Sequence, residues 1–156
     1  MTRSAPTNSD DIINSRDVIE RIEYLENERA YHIPDGMEGH DPDNETEEQR
    51  THRVECWGNE YPEELAELNR LIDLQSQANG SSDWEHGETL IRASYFKKYA
   101  QQLAEETGSV PEDHAWPAYC IDWEWAAREL RHDYFAVDFD GVEYWIQYGV
   151  EYWIQS

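Results

Sequence analysis

Lysine is almost missing from this chain. Of its 12 basic residues only Lys97 and Lys98 are lysines, and the other ten are arginines. No apolar run approaches the roughly 20 residues needed to span a bilayer. The first ten residues are polar and lack the apolar centre of a secretory signal. A cytoplasmic protein is therefore expected. Two cysteines, Cys56 and Cys120, are too few for a disulfide framework and are expected as reduced thiols. There is no phosphate-binding loop, no dinucleotide fingerprint and no Gly-x-Ser-x-Gly elbow. The six histidines are scattered. His52 and Cys56, four residues apart, could share a metal on a helix, but no second pair stands at ligand spacing. Neither a metal nor a cofactor is expected, and no catalytic residue is assigned. Carboxylates are so frequent that some pair will fall at a glycosidase separation by chance, so their proximity does not argue for catalysis.

Acid is what the chain has in excess. It carries 35 acidic residues against 12 basic ones, a net charge of -23 in 156 residues. A field of one sign and this size repels nucleic acid and anionic membrane, and draws in proteins with a basic working surface. The chain is also 13% aromatic, with seven Trp and ten Tyr. A disordered acidic tail would lack the apolar area that offsets ordering entropy, so an acidic globular protein is expected. The length suits one domain, or two small ones sharing a core. Residues 1–80 hold 20 acids and 7 bases, and residues 81–156 hold 15 and 5. Acid spread this way belongs on the outer faces of folded elements. Halophilic adaptation, or a generic acidic interaction module, would give the same composition.

Residues 1–13 read as a loose leader. Asn14 or Ser15 can cap a helix to about Ala30, with Val18, Ile19, Ile22 and Leu25 on one face. Residues 32–60 read as a polar insert broken by Pro34, Gly36, Gly39 and Pro42, with at most a helical turn between Glu45 and Val54. Pro62, Glu63 and Glu64 open a second helix, with an apolar stripe of Leu65, Leu68, Leu71, Ile72 and Leu74. The two helices are expected to form an antiparallel pair across residues 14–82. In residues 83–147, Glu88–Arg92 can be a strand, Ser94 can cap a helix to about Thr107, and Asp122 can cap a helix to Arg131. Tyr134–Phe139 and Val142–Ile146 flank Asp140-Gly141, a strong hairpin signal. The fold class is thus α+β: an N-terminal amphipathic helical pair, then a small helix–helix–hairpin domain, elongated and acidic. Residues 148–156 complete a second copy of Gly-Val-Glu-Tyr-Trp-Ile-Gln, first present at 141–147. This reads as a local duplication, because one heptapeptide copy is far too short for a repeat fold.

The aromatics alternate with acid, as in Asp122-Trp123-Glu124-Trp125 and Asp138-Phe139-Asp140. Direct nucleic-acid binding would need them interleaved with bases. Aromatic bodies with acidic rims suit a face shown to a basic protein, although core alternating with solvent explains much of the same pattern.

The stretch Ala104-Glu105-Glu106-Thr107-Gly108, the Pro111 loop, Tyr119-Cys120-Ile121-Asp122-Trp123-Glu124 and Ala127-Arg128-Glu129-Leu130 resembles the C-terminal part of ArdA-type antirestriction proteins. Glu67-Leu68-Asn69-Arg70-Leu71 is similar to that family's middle region. The family's β-rich N-terminal domain has no counterpart here. The resemblance implies an acidic protein, commonly dimeric, that imitates duplex DNA in the groove of a type I restriction–modification enzyme. The partner would be a basic nucleic-acid-binding protein, and a homodimer is allowed. A CRISPR surveillance complex offers a similar basic channel and is the alternative target. Nine acids expected to face outward in the matching region would stand in for phosphates: Glu105, Glu106, Asp122, Glu124, Glu129, Asp133, Asp138, Asp140 and Glu143.

Overall fold

The computed structural model describes residues 5–110 and 115–148. The chain is α+β, with a four-stranded antiparallel sheet. Strand β1 (Ile12–Asn14) pairs with β2 (Thr89–Arg92), β2 with β4 (Val142–Gln147), and β4 with β3 (Tyr134–Phe139). The helices are α1 (Ser15–Tyr31), α2 (Glu47–Glu60), α3 (Pro62–Gln77), the single turn α4 (Trp84–Gly87), α5 (Phe96–Glu106) and α6 (Trp123–Leu130). Among the described residues no helix is long and apolar enough to cross a membrane.

Alternation along the strands gives the sheet two apolar faces. Register places Val137 opposite Tyr144 and Leu90 opposite Ile146. These side chains share a core with Ile13, with Val18, Ile22 and Leu25 of α1, and with Leu68, Leu71 and Leu74 of α3. The other face holds Ile91 opposite Trp145, and Tyr134. With Phe96, Ala100 and Ala127 of α5 and α6 they make a second cluster. Helices therefore cover both faces of the sheet. Core residues come from both halves of the sequence, because β1 and α1 close over strands that lie at the other end of the chain.

Several sequence expectations meet this structure directly. Asn14 caps α1, its side chain accepting from the Arg16 amide at 2.8 Å. Asp122 caps α6 by accepting from the Trp125 amide at 3.1 Å. The Asp140-Gly141 turn has φ of 50° and 84°, the left-handed pair that a type I′ hairpin requires. Helices α1 and α3 run antiparallel: Arg21 bonds Glu67, and His32, just past the end of α1, meets Tyr61 at the start of α3.

Four expectations are corrected. The described part of the leader, residues 5–13, is not loose: Ile12–Asn14 is an edge strand, Ile13 is buried, and the Tyr144 hydroxyl donates to the Asp10 carbonyl. Three residues are too few to show alternation, and their partners lie 75 to 79 residues away. Ile72 is exposed rather than part of the α3 stripe, which runs Leu68, Leu71, Leu74 with Leu65 half-buried. Ser94 caps nothing; it sits in a 3-10 turn, Ala93–Tyr95, and α5 begins at Phe96 without a side-chain cap.

The largest correction is the polar insert, which contains the full 14-residue helix α2. Thr46 and Gln49 form a reciprocal capping box at its start. Trp57 is buried, and Gly58 lets the helix approach α3, since a Cβ there would lie 2.9 Å from Leu65 Cδ2. The duplicated segment at 149–156 lies outside the described residues.

Strand β3 is the longer sheet edge, and Gln77 closes part of it. Its side-chain amide donates to the Asp138 carbonyl at 2.8 Å, and its carbonyl accepts from the Asp138 amide at 2.7 Å. One glutamine thus completes the bonding that another strand would offer. Gln77→Ala is expected to lower stability by about 1 kcal/mol. This would appear as a lower urea midpoint at unchanged slope. An unchanged midpoint would show that water replaces both bonds at no cost.

Candidate functional site

The surface is where the acid excess stands. On the C-terminal elements, Glu106 is exposed at the end of α5 and Glu105 is half-buried beside it. Asp122 is exposed but committed to its cap. Glu124 lies 3.8 Å from Lys97 Nζ, and Glu129 lies 3.7 Å from His132 Nδ1. Asp133 is half-buried, and its carbonyl accepts from the Tyr148 amide at 3.0 Å. Glu105 and Asp133 are thus only partly exposed, the first at the end of α5 and the second where the chain turns into β3.

The structure brings three of the nine together. Asp138 and Glu143 are direct cross-strand partners on β3 and β4, both exposed, and Asp140 forms the adjoining turn. Like charges directly opposite one another destabilise a sheet, where an opposite charge would support it. Arg70 Nε reaches Asp140 at 3.6 Å. The remaining acids are set apart along α5 and α6. They are interleaved with Lys97, Lys98, Arg128 and Arg131, so the net field of that layer is diluted.

The helical layer on the other sheet face is richer in acid. Residues 15–77 carry 18 acids and 6 bases. Glu20, Glu23, Glu26 and Glu28 are exposed on α1, Glu47, Glu48, Glu55 and Glu60 on α2, and Glu63 and Asp73 on α3. Arg16, Arg21, Arg29, Arg53 and Arg70 each lie within 4.0 Å of a carboxylate. Five of these six bases are thus matched to a carboxylate, and the surplus acid faces solvent. These acids were not among the nine. The signal that could have found them is the slightly larger net charge of the first 80 residues, joined to their non-apolar helix positions.

One carboxylate is set apart by burial. Glu45 accepts from Arg53 Nε at 2.8 Å and from a second Arg53 nitrogen, and His40 Nε2 lies 2.7 Å away. Arg53, only 2% exposed, also donates to the Ala30 and His32 carbonyls at 2.8 and 3.2 Å. The Arg53 guanidinium, followed by His40, holds the Glu45 carboxyl down at about 2, against the opposing pull of burial. This network ties the 33–46 segment and α2 to the end of α1. Its groups are saturated by one another, which marks a structural joint.

Burial pushes the Tyr144 phenol up to about 12 and raises that of Tyr134 as well. Both rings sit in the cores. His52 Nε2 and Cys56 Sγ are 3.6 Å apart on α2. Among the described residues no group of three or more His, Cys, Asp or Glu side chains is placed to hold a metal ion. No family model, curated protein or solved structure matches this chain.

Proposed function

We propose that this chain is a protein inhibitor that occupies the DNA-binding surface of a basic host defence enzyme, a type I restriction–modification enzyme first. The observation that carries the reading is the layout of charge. Exposed acid stands on ordered helices and on a hairpin tip, while Arg16, Arg21, Arg29, Arg53 and Arg70 are drawn into ion pairs. The opposed Asp138 and Glu143 keep like charge where the sheet would be better served by a complementary pair. The resemblance of residues 99–145 to ArdA-type proteins points to the same class of target.

Scale supports it too. Duplex DNA carries one charge per about 1.7 Å of axis, so 23 charges correspond to roughly 40 Å, or about a dozen base pairs. A body imitating one helical turn needs no more than that. Association governed by such a field is fast and weakens as salt screens it. The test uses the tagged protein and a purified type I enzyme, with and without duplex DNA. The complex is expected to form at low salt, to be competed away by duplex, and to weaken strongly by about 0.5 M NaCl. Affinity indifferent to both duplex and salt would remove charge mimicry as the mechanism.

A further inference from the structure

Among the described residues, three of the exposed aromatic side chains lie close together in sequence and belong to neither core. Trp116 and Tyr119 are each 69% exposed, and Trp125 is 56% exposed. All three lie within ten residues, on the turn before α6 and the first turns of that helix. The chain there is locally fixed. The Cys120 amide donates to the Pro117 carbonyl at 2.9 Å, and Asp122 caps α6 through the Trp125 amide. Large rings held outward on bonded backbone are the residue type that anchors interfaces.

Two observations say what would cover them. The first is charge: Asp122 and Glu124 are exposed and adjacent to the rings in sequence, and although Lys97 lies near Glu124, the chain as a whole carries a net charge of -23, which favours a basic partner face. The second is already present within the fold. The Arg128 guanidinium lies 5.6 Å from the Trp125 ring centroid, so this ring accepts a guanidinium on one face while acids stand nearby. Arginine, being planar and weakly hydrated, stacks on indole and phenol rings better than lysine does.

We infer that Trp116, Tyr119 and Trp125 form an anchoring patch for arginine side chains of a basic protein partner, with Asp122 and Glu124 as its acidic rim. This inference rests on the reading above and adds to it a local, arginine-selective contact within a collective field. The field sets the rate of encounter; the rings slow dissociation.

The test uses the whole chain with nona-arginine and nona-lysine as probes, followed by tryptophan fluorescence and titration calorimetry at fixed salt. Nona-arginine is expected to bind about tenfold more tightly than nona-lysine. The Trp116→Ala/Tyr119→Ala pair should erase most of that preference. Its salt dependence and circular dichroism should stay as in the parent, since both side chains are exposed. Asp122→Asn/Glu124→Gln should weaken both probes alike. Equal affinity for the two peptides, or a preference that survives loss of the rings, overturns the patch. Salt-sensitive binding that ignores the ring variants would overturn the patch while leaving the mimicry reading intact. A salt-insensitive interaction would instead remove the mimicry reading. A sedimenting dimer that dissociates in the ring variant would assign the patch to a second copy of this chain, and would overturn the arginine proposal.

Discussion

Replacing Arg53 with methionine is expected to lower the melting temperature by about 10 °C and to release α2. Helix α2 has no continuous apolar stripe. Only Arg53 and Trp57 are buried along it. Arg53 reaches across to Glu45 and to two carbonyls at the end of α1, so one side chain holds three segments. Methionine fills similar space but leaves the Glu45 carboxylate without its main partner, which is the costly way to break a buried pair. Glu45→Gln keeps the shape and strips the charge from the other side, so it should fall by a comparable amount at neutral pH.

The acid limb gives a sharper test. In the folded protein the Glu45 carboxyl is held at about 2, below its ordinary 4.5. A carboxyl held down by folding contributes stability that is whole above about pH 4.5 and is lost as pH falls toward 2. The parent should lose stability across that window, and Glu45→Gln should show a shallower loss there. Thermal scans by circular dichroism at several pH values read both effects. A Gln variant with the parent's midpoint and the parent's acid limb would show that the joint is dispensable.

That joint also explains where sequence reading stopped. The hairpin was legible because Asp140-Gly141 fixes its own turn and alternation fixes its faces. Helices α1 and α3 were legible through apolar residues at helical spacing. Helix α2 offers no such spacing, and Gly58 argues against it until Leu65 is seen across the gap. Its stability comes from an ion pair spanning a loop and from carbonyls 21 and 23 residues away. Those contacts leave no local pattern; the one local signal for the helix was the Thr46-x-x-Gln49 capping box at its start. Strand β1 failed for the same kind of reason, since it is defined by a distant partner. The nine acids belong to one stretch of sequence, and only Asp138, Asp140 and Glu143 are joined by the fold itself. The denser acid faces lie on α1 and α2, and the second of these was not visible as a helix.

Those faces set the other large expected effect. Changing Glu20, Glu23, Glu26, Glu28, Glu47, Glu48, Glu55 and Glu63 to glutamine takes the net charge from -23 to -15, eight charges removed. All eight are exposed, so the fold should survive, and glutamine keeps their helix propensity. Association with the basic target should slow by about a hundredfold at low salt, because steering depends on the summed field. At about 0.5 M salt the variant and the parent should converge, since screening removes that field for both. The triple exchange Asp138→Asn, Asp140→Asn, Glu143→Gln should slow association much less. It should, however, steady the hairpin by removing its like-charge pair. Stopped-flow association across a salt series separates these outcomes. If the hairpin triple cost as much with three charges as the helical set does with eight, recognition would be centred on the strand tip. The helical layer is the stronger source of steering on physical grounds. Its surplus is larger, five of its six arginines are already held in pairs, and it lacks the run of bases that dilutes α5 and α6.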